Sequence, residues 1–186
     1  MDVERATRAA KLLAKHKQRV SVVEATSGGL IGASLLGCAG ASAFFVSSCV
    51  VYSGRGYKKF LPQNVLEAAS VFDRENNYKN RENYVESKKL FAETVAPLMR
   101  DYYRTDWCVV ESGTSGPKFY IPGVQSGFTA VGVAGPPHPR TGKPVMAVRL
   151  IETNSSDRVA NMTSFTAAAL DLLADTLEDF HATSSL

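Results

Sequence analysis

Three times along this chain a stretch of apolar or small residues runs into a cluster of hydroxyl and glycine residues. The clusters are Glu24-Ala25-Thr26-Ser27-Gly28-Gly29, Tyr52–Gly56 and Glu111–Pro117. The first is the most constraining. Val20 to Glu24 reads as a short strand, and an apolar helix follows from Gly28 to Leu36, ending at Gly37. Such a strand–turn–helix junction aims backbone N–H groups and short hydroxyls at one spot. In an open α/β sheet, ligands bind in the crevice beyond the strand ends. Any one of these clusters is equally a plain turn in which glycine supplies a positive φ. Three in one small domain predict a shared pocket.

The remaining elements fit that frame. Helix-forming composition with alanine and leucine on one face predicts a first helix over residues 2–17. Phe44 to Tyr52 is almost continuously apolar or small, as in a strand buried on both faces. A Gly54-Arg55-Gly56 turn leads to a helical turn over Lys58–Leu61. The polar segment Asn76–Asn83 reads as a loop opening a long helix from Glu82 to Tyr103, which Pro97 should kink. Strands follow at Trp107–Val110, Phe128–Ala134 and Val145–Ile151, the last two joined as an antiparallel pair across the loop Gly135–Gly142. A final helix starts at Ser155 or Ser156 as N-cap, with Asp157 in its first turn, and runs to Phe180. Helices alternating with strands predict one α/β domain over residues 1–186, a three-layer α/β/α sandwich with a mixed sheet of about five strands. Its core covers residues 2–180, with 181–186 as a tail.

Composition narrows the function classes. The net charge of +3, from 21 basic and 18 acidic residues, is too small for nucleic-acid binding as a main role. No apolar run reaches the length of a membrane span. Cys38, Cys49 and Cys108 are odd in number and lack metal-ligand spacing; Cys49 and Cys108 read as small buried hydrophobes in a reducing compartment. No grouping of carboxylates and histidines suggests a metal, and no cofactor is implied. His16 and His181, near helix ends, read as solvated. Asp2 and Glu4 argue against a secretory or mitochondrial leader, which favours a cytoplasmic location. Ser184-Ser185-Leu186 loosely echoes a peroxisomal tripeptide without its lysine, so a mitochondrial or peroxisomal matrix is the alternative.

Several motifs, taken in order, resemble the C-terminal domain of the CinA family. They are Glu24-Ala25-Thr26-Ser27-Gly28-Gly29-Leu30, Gly40-Ala41-Ser42-Ala43-Phe44-Phe45, Val50-Val51-Tyr52-Ser53, Ser112-Gly113-Thr114-Ser115-Gly116-Pro117, and the closing Ala167-Ala168-Ala169-Leu170-Asp171-Leu172-Leu173. The resemblance implies a nicotinamide-nucleotide amidohydrolase, or nicotinamide mononucleotide deamidase. In that enzyme the first motif reads Glu-Ser-Cys-Thr-Gly-Gly, and its serine attacks the nicotinamide carboxamide. Ala25 stands at the matching position here. The assisting tyrosine matches Tyr52. The position of the base lysine holds Tyr57, with Lys58 one step beyond.

A methyl group cannot form an acyl-enzyme, and a serine–lysine pair acts as a unit. The resemblance therefore implies a catalytically degenerate domain that keeps a nucleotide pocket. Its ligand-binding candidates are Thr26, Ser27, Gly28, Gly29, Ser112, Gly113, Thr114, Ser115 and Gly116. Two alternatives stand beside it. One is a structural or interaction subunit of a larger complex, contacting partners through Lys118–Gln125 and Gly135–Gly142. The other is an amidohydrolase that uses Ser27, Tyr52 and Lys58 in place of the missing groups. Phe119 and Tyr120 would plug the pocket or stack on a base. The resemblance also implies a homo-oligomer.

Overall fold

The computed structural model describes residues 1–71, 73–118 and 121–182. Five strands form one sheet in the order β2-β1-β3-β4-β5: β1 Val20–Glu24, β2 Phe45–Val50, β3 Trp107–Thr114, β4 Phe128–Pro137 and β5 Pro144–Glu152. β1 pairs in parallel with both β2 and β3, while β3–β4 and β4–β5 are antiparallel. The parallel half needs crossover helices, and the chain supplies them. Helices α1 (Val3–Lys15), α2 (Leu30–Leu36) and α7 (Arg158–Ala182) cover one face. The long α6 (Arg81–Tyr103) and the short α4 (Gln63–Ala68) cover the other. Two further short helices, α3 (Gly54–Phe60) and α5 (Arg74–Asn77), complete the segment between β2 and α6. This is the predicted mixed-sheet sandwich.

Each face of the sheet has its own apolar core. Val22, Val109, Val131 and Val133 point to the α1/α2/α7 side, where Leu13, Leu35, Leu170, Leu173 and Leu177 meet them. Val23, Cys108, Val110 and Ala134 point the other way, onto Leu66, Phe91, Val95 and Met99. Alternation along β1 and β3 thus feeds both layers, as the two-residue strand period requires.

Three expectations are corrected. β2 lies at the sheet edge and is not buried on both faces; Val46 and Val50 are 44% and 45% exposed. Its apolar run looks like a central strand only because the sequence does not say which strand is last. α7 begins at Arg158, and Asp157 precedes it: its carboxylate accepts from the N–H groups of Val159 and Ala160 at 3.0 Å each, so Asp157 is the cap itself. His16 is exposed as expected, but His181 is half-buried: the two rings stack with centroids 3.5 Å apart, and His181 Nε2 lies 2.9 Å from Gln18 Oε1. α6 remains one helix through Pro97, and α4 and α5 were not anticipated. Among the described residues no helix is long and apolar enough to cross a membrane.

Candidate functional site

Beyond the C-terminal ends of β1, β2 and β3 lies a cavity of about 440 Å³. All three predicted turns reach it, through Ala25 and Thr26, through Tyr52, Ser53 and Gly54, and through Ser112 to Gly116. Its other walls come from α3, α5, α6 and the start of α7. The charged side chains among its described lining residues are Arg74, Lys88, Lys118 and Arg158, with no carboxylate. Tyr52, Tyr57, Tyr78 and Phe91 supply aromatic surface. Arg158 ties two of the turns together: one guanidinium nitrogen donates to Gly116 O at 2.7 Å and another to Tyr52 Oη at 3.2 Å. Its charge also lies over the Tyr52 ring, 5.6 Å from the centroid.

The first turn is held from behind by two buried glutamates. β1 and β3 are parallel neighbours, which brings Glu24 and Glu111 to adjacent strand ends. Ser27 Oγ sits between them, 2.8 Å from Glu24 Oε2 and 2.9 Å from Glu111 Oε2. One hydroxyl hydrogen therefore serves two carboxylates. Glu111 further accepts from the backbone N–H groups of Ala25 and Ser27 and from the hydroxyls of Thr26 and Thr129. Glu24 accepts from the N–H groups of Gly29, Ile31 and Gly32 at 2.8–3.0 Å, the donors that open α2. Ser48 adds a fifth donor from β2. Burial raises the pKa of Glu24; the hydrogen bonds oppose that shift, and the negative charge of Glu111 adds to it.

This arrangement decides where the sequence-predicted residues stand. Thr26, Ser112, Gly113, Thr114, Ser115, Gly116 and Tyr52 reach the cavity. Ser27, Gly28 and Gly29 do not. Ser27 is 0% exposed with its hydroxyl committed to the carboxylates, and the Gly29 N–H is taken by Glu24. The helix-opening donors expected to hold a ligand oxygen are thus occupied by the protein's own carboxylate. Lys58 lies on the exposed α3 and is not part of the cavity wall, whereas its neighbour Tyr57 is. Ala25 lines the cavity and offers it only a methyl group. The expectation for Phe119 and Tyr120 lies outside the described residues.

Two residues outside the predicted set of ligand-binding candidates complete the site: Lys88, which sequence reasoning missed, and Tyr57, which it noted only as standing where a lysine was expected. Lys88, on α6, extends its amino group to within 3.2 Å of Ser112 Oγ and lies over the Tyr84 ring, 5.3 Å from the centroid. Burial of that amino group lowers its pKa to about 8, although Glu111 pulls the other way. A signal existed: Lys88 falls on the stripe Tyr84, Phe91, Ala92, Val95, Ala96 and Met99 that α6 buries. Lys89, one position on, faces out and pairs with Glu93 at 3.9 Å. Tyr57 packs edge-on against Phe91 with centroids 5.6 Å apart. Burial pushes its phenol up to about 12, and a hydrogen bond to Ser112 opposes that shift.

A family model described as the CinA C-terminal domain matches residues 3–177. The chain belongs to the CinA C-terminal domain family. A CinA-like protein of Prochlorococcus marinus subsp. pastoris is 26% identical over 128 residues, covering 68% of this chain and 26% of that protein. The chain thus spans about a quarter of the curated relative's length. Among solved structures, a CinA superfamily protein of Klebsiella pneumoniae superposes with a TM-score of 0.72 at 18% identity, covering 96% of this chain and 99% of that one. The competence/damage-inducible protein CihA of Agrobacterium tumefaciens gives 0.70 at 18% identity, with 95% and 96% covered. These likenesses establish the CinA fold for all but a few residues of the chain.

Proposed function

We propose that this CinA domain binds a phosphate-bearing nicotinamide nucleotide at the strand ends, and that no amide hydrolysis runs through position 25. The observation that carries the reading is the lining of the cavity: four cationic side chains, four aromatic rings and no carboxylate among the described residues. Arginine and lysine around a concave site favour a phosphate, and flanking rings suit a flat heterocycle. At about 440 Å³ the cavity lies within the range of small-ligand sites. Ala25 cannot act as nucleophile. Ser27 is sealed between two carboxylates, and Lys58 stands off the cavity wall, so the constellation Ser27–Tyr52–Lys58 has no route to a ligand there.

Calorimetric titration with nicotinamide mononucleotide tests the reading. Saturable heat is expected in the wild type. Arg158→Ala removes a cation and the tie between Tyr52 and Gly116, so affinity should fall roughly tenfold, the loss of one charge-assisted hydrogen bond. Absence of both heat and thermal shift at millimolar ligand would refute it.

A further inference from the structure

The three histidines of the chain, far apart in sequence, gather at the carboxyl end of α7, away from the cavity. His138, in the loop between β4 and β5, meets the Phe180 ring edge-on with centroids 5.8 Å apart. His181 follows Phe180 in the last turn of α7, its ring 5.0 Å from that of Phe180. His16, the C-cap of α1, stacks on His181 with the two planes 6° apart. Gln18 Oε1 then ties this cluster to the core, lying 2.9 Å from both His181 Nε2 and Trp107 Nε1. We propose that the His16–His181 stack is a proton-operated clasp: in mildly acidic solution, protonation of the two rings drives them apart and releases the last turn of α7 from Gln18 and Trp107.

The hydrogen bonds fix where the added proton goes. An indole nitrogen only donates, so Gln18 Oε1 is the acceptor and His181 presents its Nε2–H to it. The next proton therefore enters at Nδ1 and charges the ring. Both histidines sit at helix carboxyl ends, where a single positive charge is favourable. Two of them face to face at 3.5 Å are not.

The charged groups around the stack come from three elements. α1 brings Lys15 beside His16. α7 brings Asp179, whose carboxylate is turned to the β4–β5 loop, 3.5 Å from His138 Nε2 and 3.8 Å from the Arg140 guanidinium. Glu178 of α7 is engaged by Arg8 at 3.0 Å. Burial holds the pKa of His181 below its ordinary 6.5, and the positive charges of His16 and Lys15 add to that shift. The packed ring thus resists a proton that the released ring accepts. Packing of this turn is favoured above pH 6.5 and weakens as the pH falls through that value. A proton on His138 strengthens its pairing with Asp179, so the loop contact does not open with the clasp.

Trp107 is the one tryptophan in the chain, and its emission reads the clasp. Titration from about pH 8 to 5, the range in which histidines gain charge, should move the emission maximum to longer wavelength. We expect one reversible step with its midpoint below 6.5, while far-UV circular dichroism keeps nearly all of its helical signal. His16→Phe changes an exposed position and keeps an aromatic ring against His181, over which an imidazolium is attracted. In that variant the step should be lost, and histidine-ring NMR should show His181 titrating closer to 6.5. His138→Gln removes the third histidine and should leave the step in place. A flat emission maximum in the wild type, an unaltered step in His16→Phe, or loss of the step in His138→Gln would overturn the proposal. So would a step that coincides with loss of the whole helical signal, because acid would then be unfolding the molecule and not one turn.

Discussion

Lys88 illustrates what one residue can change. Its neighbours along the buried face of α6 are aromatic or apolar, and a lysine there places an amino group where water cannot fully solvate it. The ordinary value for the group is 10.5 and the folded value about 8. Between those values the unfolded chain holds a proton that the folded chain has lost, so stability rises with pH through that window. Below pH 8 the cost of the buried charge is present in full. Lys88→Met removes it, and the variant should be more stable at pH 7 by up to about 3 kcal/mol. That advantage should narrow as the pH approaches 10.5. Urea melts of both proteins at neutral and alkaline pH check this; an unchanged difference would show that Lys88 carries no such cost. Ala25 and Tyr57 need no structure to be noticed, since a missing nucleophile is visible in the sequence. Ser112 was among the predicted candidates, but its contact with Lys88 was harder to see because the two stand 24 residues apart, and only α6 packing on β3 joins them.

At the scale of elements, the β1–α2 junction is held by its own acid. α2 has seven residues, and its N-cap Gly29, at φ +96°, has no side chain to receive the first donors. Glu24 takes that role from the end of β1, accepting from Gly29, Ile31 and Gly32. Glu24→Ala would leave three helix donors and the Ser27 hydroxyl to find other partners. We expect a loss of about 3–5 kcal/mol, or a fall in Tm of roughly 10 °C for a chain of this size. Scanning calorimetry measures it, and a change below a degree would mean that water replaces the carboxylate without cost. At α7, Asp157→Ala should cost about 1 kcal/mol, because a capping carboxylate is lost but the Val159 and Ala160 donors face solvent. A shift in the urea midpoint reports it. Strand and helix identities were legible because β-branched runs and helical spacing are local signals. The cap of α7 was read one or two residues off, at Ser156 or Ser155 in place of Asp157, because neighbouring polar residues compete for one role.

Across the whole molecule, Trp107 joins elements remote in sequence. The indole is fully buried, packs edge-on against Phe180 of α7 with centroids 5.2 Å apart, and donates from Nε1 to Gln18 Oε1 at 2.9 Å. Gly135 of β4 lies against it so closely that an added Cβ would stand 2.2 Å from Cζ3. Gly135→Ala must displace the ring or the strand, at a cost of roughly 1–3 kcal/mol. Trp107 is the one tryptophan in the chain, so its fluorescence reports the displacement directly. An unshifted emission maximum with unchanged stability would contradict this packing. The sequence by itself determined the principal helices and strands, the two-sided sheet, the three turns that meet at the cavity and the absence of a nucleophile at position 25, because each is written in residues close together along the chain. Tertiary structure alone decided that β2 is an edge, that Glu24 and Glu111 close over Ser27, and that Lys88 meets Ser112. Those outcomes depend on which strands pair and which helix covers them, and pairing joins residues that no local pattern connects.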